Sequence, residues 1–236
     1  MSGARGPSGR NGPHVFVDDL ETPTLSDADE HHVVRVLRLR TDDVLTISDG
    51  RGRWRPARLA AGHVIEPTGD ITVVARPEPP LTIGFALVKG DRPELVVQKA
   101  TELGVDRVVP FVADRSVVRW DDKRAEHHLE RLRRVGREAS MQSRRCWLPE
   151  VCELTPLARL LEQPGVAAAD REGDPVDRST TTILIGPEGG WSDHERSRLR
   201  ARVALGSHVL RAETAAMAAA TLLTALRADL IGPAAN

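Results

Sequence analysis

Cysteine, aromatic residues and long apolar runs are all scarce in this chain of 236 residues. Two cysteines, Cys146 and Cys152, cannot build a disulfide framework, and the sequence has neither a CxxC pair nor a Cys/His spacing typical of zinc. The longest nearly apolar stretch, 215–226, is shorter than the roughly 18 residues that a membrane-spanning helix needs. Three phenylalanines, four tryptophans and no tyrosine leave few faces on which a generic single-strand binder could stack bases.

The N-terminal segment lacks a hydrophobic stretch, which excludes a secretory signal. Residues 1–13 are rich in Gly, Pro, Ser and Arg, and this composition predicts a mobile tail. The scarcity of cysteine favours a reducing, cytoplasmic location. The histidines include two adjacent pairs, 31–32 and 127–128, whose members do not share a helix face, so we expect no metal site.

Lysine is also scarce, since arginine outnumbers it 30 to 3, a ratio that codon bias in a GC-rich genome would produce. The net charge is −1, yet two stretches are basic. Residues 35–58 hold seven arginines against three aspartates, a net of +4, and residues 115–147 hold ten basic against five acidic residues, a net of +5. Such local fields attract phosphates. Either stretch alone is also typical of a solvated surface, but two of them, together with the glycine-rich motif described below, favour RNA as a binding partner.

The first 75 residues predict a small, mostly β domain. Short β-like runs alternate with turn sequences, and one helix is predicted over 26–37 with Ser26 as its N-cap. The predicted strands are 14–17, 44–47, 54–59 and 71–75. Residues 76–80, with three prolines, predict a linker.

From residue 81 to 232 the pattern alternates strands with helices, which predicts an α/β domain with a parallel sheet. The continuous apolar run 81–88 is typical of a strand buried on both faces. A long helix over 122–144 carries an apolar stripe and a basic face. Other strands are predicted at 107–112, 166–169 and 181–185, and other helices at 91–104 and 155–162.

The strongest local signal is the turn Gly-Pro-Glu-Gly-Gly at 186–190, which follows an apolar strand. After it, Ser192 and Glu195 predict a capping box. The glycines let a ligand approach the backbone closely, although a merely tight turn is the alternative. The turn matches neither the dinucleotide fingerprint nor the P-loop, and its acidic residue disfavours a phosphate. We therefore predict a ligand with an adenine, a ribose and a cationic group.

The second signal is the segment 205–215, in which we predict a strand of about four residues that leads to Arg211, Glu213 and Thr214. These residues begin an alanine-rich helix that Gly232 and Pro233 are predicted to end. An ion pair between Arg211 and Glu213 is the simplest interpretation, and a catalytic role is the other.

Together these segments resemble the SPOUT-class RNA methyltransferases. GPEGGWSDHE at 186–195 and LGSHVLRAETAA at 205–216 look like the class signature, and they are most similar to the bacterial 16S ribosomal RNA uridine-N3 methyltransferases. Further matches follow in the same order, namely HVVRVLR at 32–38, KGDRPELVVQKATELGV at 89–105, Arg115-Ser116, and Gln142-Ser143 with Arg145. The similarity extends over about residues 14–228.

The resemblance implies a PUA-like β-barrel domain over 14–75 and a SPOUT domain with a deep trefoil knot over 81–232. It also implies S-adenosylmethionine as cofactor, a homodimer, and methylation of N3 of a uridine in 16S ribosomal RNA, close to the decoding region of the small subunit. The implied cofactor contacts are Ile185, Gly186, Gly189, Gly190, Leu205, Gly206, Val209, Leu210 and Arg211. The chain departs from the family at Met141, where Glu is usual, and at His14, where Arg is usual.

Methylation at N3 requires the loss of a proton, and a cation near the uracil carbonyls would stabilise the anion that develops. We predict Arg211 for this role, with Glu213 orienting it or helping to remove the proton. The predicted RNA contacts are Arg35, Arg38, Arg115, Arg134 and Arg145. Such contacts with phosphates position the RNA without reading its sequence.

Two other functions stay open at this point. One is a non-catalytic RNA-binding factor of ribosome assembly that keeps the fold. The other is a related SPOUT enzyme that acts on a different RNA site, such as a transfer RNA or a ribose 2′-oxygen.

Overall fold

The computed structural model describes residues 4–232, apart from the side chains of Ala28, His32 and Asp122, and it divides into two compact units. The first unit comprises the chain up to Pro77 together with Arg137–Leu148. The second comprises Glu78–Gly136 and the chain from Pro149 onward. The return of residues 137–148 to the first unit was not predicted. The predictions for residues 1–3 and for Pro233 lie outside the described residues.

The first unit contains a five-stranded sheet. Its strands are β1 (His14–Phe16), β2 (Val44–Ser48), β3 (Arg53–Leu59), β4 (Ile65–Pro67) and β5 (Thr72–Val73). β1 is parallel to β2, and β3 is antiparallel to β2, β4 and β5. Four of these strands were predicted. β4 was missed because three residues that end in a proline show no alternation of apolar and polar side chains.

The predicted helix 26–37 consists of two parts, the α-helix α1 (Asp27–His31) and a π-helical stretch, His32–Val36. The cap is confirmed, because Ser26 Oγ accepts a hydrogen bond from the Asp29 amide at 3.2 Å. In the segment 4–13, Pro7 is buried and the Trp54 indole donates to the Arg5 carbonyl at 3.1 Å. Composition did not predict these features, because a backbone carbonyl accepts a hydrogen bond whatever the residue type and the burial of one proline depends on the fold.

His14 is a buried residue of the first unit, only 3% exposed. Its Nδ1 lies 2.8 Å from Thr46 Oγ1, and its Nε2 lies 3.2 Å from the Arg145 carbonyl oxygen. Burial is the main cause that lowers the pKa of His14 to about 4, and the Arg144 guanidinium acts in the same direction, whereas the bond to the Arg145 carbonyl raises the pKa. His14 is therefore a neutral side chain of the core at pH 7.

This pKa predicts that acid destabilises the first unit. In the unfolded chain His14 has its ordinary pKa of 6.5, so between pH 6.5 and pH 4 the unfolded state binds more protons and stability falls as the pH falls. Between pH 7 and pH 5 we expect a loss of roughly 2 kcal/mol from this residue. Denaturant unfolding of the protein and of a His14→Gln variant at both pH values measures the difference. An equal loss in the two proteins would contradict the assignment.

The second unit contains a six-stranded parallel sheet in the order β11-β9-β10-β6-β7-β8. The strands are β6 (Thr82–Ala86), β7 (Arg107–Phe111), β8 (Glu150–Val151), β9 (Val166–Pro175), β10 (Thr182–Ile185) and β11 (Arg202–Ala204). The helices are α2 (Arg92–Glu102), α3 (Asp122–Ser143), α4 (Leu157–Leu161), α5 (Asp193–Arg198) and α6 (Ala212–Arg227), and the part of α3 from Arg137 onward belongs to the first unit. Every residue of β6 is buried, as its apolar run predicted.

The structure corrects two predictions in the second unit. β9 extends to Pro175 instead of ending at residue 169. The strand predicted directly before Arg211 is wrong, since the strand lies earlier, at β11, and residues 205–211 form a loop. The apolar stripe on α3 is confirmed, with Leu129 and Leu132 buried in the core.

The last turn of α6 is anchored to the rest of the second unit by Arg227. Its guanidinium pairs with the buried carboxylate of Asp106 and donates to the carbonyls of Pro79, at 3.2 Å, and Gly104, at 2.8 Å. Its Nη1 and Nη2 thus both have partners, which fixes the end of the helix that begins beside Arg211. No helix within residues 4–232 is both long and apolar enough to cross a membrane.

Candidate active site

A cavity of about 670 Å³ in the second unit lies at the carboxyl end of β10 and beside the outer part of β9. Its lining is drawn from three segments, residues 169–172, 185–191 and 205–215, together with Arg196 of α5. Its volume is within the range of small-molecule sites, and ligands of parallel α/β sheets bind outside the carboxyl ends of the strands. Two of the three segments are those that the sequence singled out.

Eight of the nine predicted cofactor residues line this cavity, namely Ile185, Gly186, Gly190, Leu205, Gly206, Val209, Leu210 and Arg211. Gly189 does not. Its carbonyl accepts a hydrogen bond from Arg115 Nη1 at 3.0 Å, and a Cβ at Gly189 would lie 3.3 Å from the Arg115 Cβ. Gly189 therefore allows the 113–116 segment to approach the turn.

The glycines at the cavity differ in what they make possible. Gly190 has φ +70° and Gly206 has φ +152°, conformations that favour glycine, and a Cβ at either position would meet no atom within 4 Å. A Cβ at Gly186, in contrast, would lie 2.9 Å from the Trp191 indole. Gly186 therefore permits the Trp191 indole to pack against the loop, and Gly190 and Gly206 leave open space along the cavity wall.

Trp191 forms the base of the 185–191 loop and is only 3% exposed. Its indole N–H donates to the Ala169 carbonyl at 3.1 Å, and its ring stacks on Phe111 with 6.0 Å between centroids and 4° between planes. The indole thus joins the loop to β9. Trp191 lies in the motif 186–195 but was not predicted as a lining residue.

The third wall, residues 169–172 of β9, was missed. Arg202 of β11 pairs with Ala168, but the next residue pairs with Asp174, so the pairing skips residues 169–173. Within the skipped segment the carboxylate of Asp170 is 5% exposed and accepts from Arg196 at 2.8 Å. The signal that could have found this wall is its position directly after the buried residues 167–168 of the same strand, because ligands of parallel sheets bind at the carboxyl ends of strands.

Glu188, the acidic residue of the turn, is paired with Arg92 at the start of α2. The predicted ion pair between Arg211 and Glu213 is not formed among the described residues. Arg211 is the exposed N-cap of α6, lines the cavity and has no ion-pair partner within residues 4–232. Glu213 does not line the cavity, and its Oε2 is buried without a hydrogen-bond partner in the described part of the chain.

A network around Glu195 holds the 185–191 loop in place. The predicted capping box is confirmed, since Ser192 Oγ accepts from the Glu195 amide at 3.1 Å and Glu195 Oε2 accepts from the Ser192 amide at 2.8 Å. The other oxygen of this buried carboxylate, Oε1, accepts from the Asp114 amide at 2.8 Å. One side chain therefore ties the start of α5 to the segment that carries Arg115.

The predicted RNA contacts divide between the two units. Arg35, Arg38 and Arg145 belong to the first unit, and Arg115 and Arg134 belong to the second. Arg35, Arg38, Arg115 and Arg134 are exposed, and Arg145 is half-buried.

Comparison with known families and proteins agrees with this geometry. A family model described as an RNA methyltransferase domain matches residues 76–224, and one described as an RNA methyltransferase PUA domain matches residues 25–63. The ribosomal RNA small subunit methyltransferase E of Mycobacterium bovis is 34% identical, over 85% of this chain and 86% of the relative. The chain belongs to the ribosomal RNA small subunit methyltransferase E family.

Other similar proteins extend the comparison. The Bacillus subtilis methyltransferase E is 30% identical, over 86% of this chain and 91% of the relative. A methyltransferase of Legionella pneumophila, solved with the cofactor SAM, has a TM-score of 0.78 and 27% identity, over 90% of this chain and 96% of that one. The methyltransferase E of Neisseria gonorrhoeae, solved with S-adenosylmethionine, has a TM-score of 0.75 and 26% identity, over 91% of this chain and 97% of that one.

Membership in the methyltransferase E family confirms the predicted resemblance and the fold class. The chain has an N-terminal PUA domain and a C-terminal SPOUT methyltransferase domain with a parallel six-stranded sheet. The trefoil knot stays a prediction from the resemblance. The family departure at Met141 is a buried side chain in the core of the first unit.

Proposed function

We propose that this protein transfers a methyl group from S-adenosylmethionine to N3 of a uridine in 16S ribosomal RNA, near the decoding region of the small subunit. The observation that carries the proposal is the cavity itself, because it brings together the two loops whose sequences resemble the cofactor loops of the family. The two relatives solved with the same cofactor support it.

The residues that line the cavity fit this cofactor. Ile185, Leu205 and Leu210 provide apolar surface for an adenine, and Gly190 and Gly206 leave room for a ligand against the backbone. When bound, S-adenosylmethionine supplies a methyl group on a sulfonium that is already electrophilic. The chain itself has to hold the cofactor, orient the uracil and stabilise the charge that forms on it.

Arg211 is placed to stabilise the uracil as it loses its N3 proton. The negative charge that develops spreads onto the two carbonyl oxygens, and a guanidinium can donate to them. Arg211 lies on the cavity wall with no ion-pair partner among residues 4–232, so its donors are not engaged by a carboxylate. We assign Arg211 the role of stabilising the anionic base.

Glu213 follows two residues later in the first turn of α6. We propose that it orients Arg211 or helps to accept the N3 proton. Its buried Oε2 has no hydrogen-bond partner within the described residues. This supports the role, because the oxygen can still accept a hydrogen bond or a proton. The carboxylate has to turn toward the cavity to act.

The target base has to leave its pairing partner, because N3 lies on the Watson–Crick edge. We propose that Arg115 and Arg134 of the second unit and Arg35, Arg38 and Arg145 of the first contact phosphates of the RNA. Binding should then weaken steeply as salt rises. We also propose a homodimer, on the family resemblance, and sedimentation equilibrium of the purified protein tests it.

We expect Glu195→Gln to raise the KM for S-adenosylmethionine about tenfold, with a smaller effect on kcat. The amide nitrogen cannot accept the bond that one of the two backbone amides now donates, and a buried donor without a partner costs about 1–3 kcal/mol. Glu162→Gln, at an exposed position, is the matched control. An unchanged KM in a folded Glu195→Gln protein would contradict the role given to this network.

The function is tested with small subunits and 16S RNA from a strain that lacks the gene. After incubation with the protein and S-adenosylmethionine, a methyl group at N3 blocks reverse transcription, because that position pairs with the incoming base. We expect one new stop, at a uridine near the decoding region. Methylation at another site would indicate a related SPOUT activity, and cofactor binding without methyl transfer to any RNA would contradict the proposed reaction.

A further inference from the structure

The first unit presents an exposed apolar pair between two arginines at residues 35–38, which we call the tip. Val36 is 58% exposed and Leu37 is 40% exposed, and Arg35 and Arg38 on either side are exposed as well. Neighbouring exposed valine and leucine side chains cost free energy in water unless a partner covers them. The tip therefore has the composition of a binding surface.

The backbone holds the tip outward. Val33, at the base of the π-helical stretch, is fully buried, and its carbonyl accepts from the Leu39 amide at 3.1 Å, which closes the segment into a loop. Arg38 has φ +57°, in the left-handed region that a residue with a side chain adopts at a cost. π-helical turns and such backbone outliers occur frequently at functional sites.

The charges around the tip differ from those in the rest of the basic stretch 35–58. Three of the later arginines are paired, Arg53 with Asp49 at 2.7 Å, Arg55 with Glu21 at 3.0 Å and Arg58 with Glu66 at 2.6 Å. The four arginines without an ion-pair partner within residues 4–232 are Arg35, Arg38, Arg40 and Arg51. Two of these four belong to the tip and Arg40 lies two residues beyond it, so the tip carries positive charge that complements an anionic partner.

We propose that the tip holds an unpaired nucleotide of the substrate RNA, with Val36 and Leu37 packed on the face of its base and Arg35 and Arg38 on the flanking phosphates. This inference rests on the proposed function and adds the kind of RNA that the first unit recognises. An unpaired base exposes an apolar face, whereas an A-form duplex shows phosphates and 2′-hydroxyls. The unpaired arginines favour RNA over an apolar protein surface.

The test removes the apolar pair and leaves the charges unchanged. The double variant V36S/L37S should bind single-stranded 16S RNA segments about tenfold more weakly, with an unchanged dependence on salt. Its affinity for a fully paired duplex and for S-adenosylmethionine should not change. The matched control is V64S/V73S, which changes two valines of the same unit that are 54% and 64% exposed, and it should bind RNA like the unmodified protein.

A second variant, R35Q/R38Q, isolates the charges. If both arginines contact phosphates of a single strand, the magnitude of the slope of log affinity against log salt should fall by about 1.4.

Three outcomes would each overturn the inference: retained RNA affinity in V36S/L37S, equal losses of affinity for single-stranded and duplex RNA, or a crosslink from position 37 to a ribosomal protein. If the unmodified protein methylates RNA while V36S/L37S binds normally, only this inference fails. If the unmodified protein neither binds nor methylates any RNA, the proposed function fails with it.

Discussion

Replacement of Arg211 by alanine should lower kcat by about 10²–10³-fold and leave the Kd for S-adenosylmethionine nearly unchanged. This decrease in kcat is the one expected when one hydrogen-bond donor to a developing negative charge is removed. The affinity for the cofactor should persist because the substitution leaves the backbone of the other lining residues, including the glycines, unchanged. Single-turnover kinetics with saturating cofactor measures the chemical step.

Two further variants make this result specific. Arg211→Lys keeps the positive charge but loses the planar pair of donors, so its activity should lie between those of the alanine variant and the unmodified protein. Arg200→Ala removes an exposed arginine that has no ion pair among residues 4–232, and its activity should be normal. Near-normal methyl transfer by Arg211→Ala would show that another group stabilises the uracil.

Valine at Gly190 should weaken binding of S-adenosylmethionine by at least about a hundredfold. Gly190 lines the cavity, where a side chain would stand in the open space that the ligand needs, and its φ of +70° disfavours any residue with a Cβ. The loss should appear in the binding isotherm, since both effects act on the site before any chemistry takes place.

Gly62 provides a closely matched control for the backbone part of this effect. It has φ +71°, and a Cβ there would also meet no atom within 4 Å, but it belongs to the first unit and does not line the cavity. Gly62→Val should therefore lose stability as Gly190→Val does and bind the cofactor normally. Equal cofactor affinities in the two variants would mean that the 185–191 loop does not hold the ligand.

The sequence predicted the parts of the fold that depend on local pattern. The buried parallel strands appear as continuous apolar runs, and the capping box at Ser192 and Glu195 follows from residue types three positions apart. The first segment of the cavity wall, 185–191, was singled out because its glycines follow an apolar strand and precede a capping box, and the second, 205–215, because Arg211, Glu213 and Thr214 begin a helix. Each of these signals lies within about ten residues of sequence.

What the sequence could not predict depends on contacts between distant segments. The wall at residues 169–172 forms because β11 skips part of β9, and a skipped pairing leaves no mark in composition. Residues 205–211 include apolar residues that predicted a strand, but within residues 4–232 this segment pairs with no strand and is a loop. His14 gave no sign of its lowered pKa, because burial depends on residues such as Thr46, 32 positions away.

Amide hydrogen exchange of the purified protein with and without S-adenosylmethionine tests the central claim most directly. If residues 185–191 and 205–212 close around the cofactor, their amides should become protected at saturating ligand, while those of the first unit should exchange as before. Protection confined to other segments, or none at ligand concentrations at which the protein is active, would contradict the account.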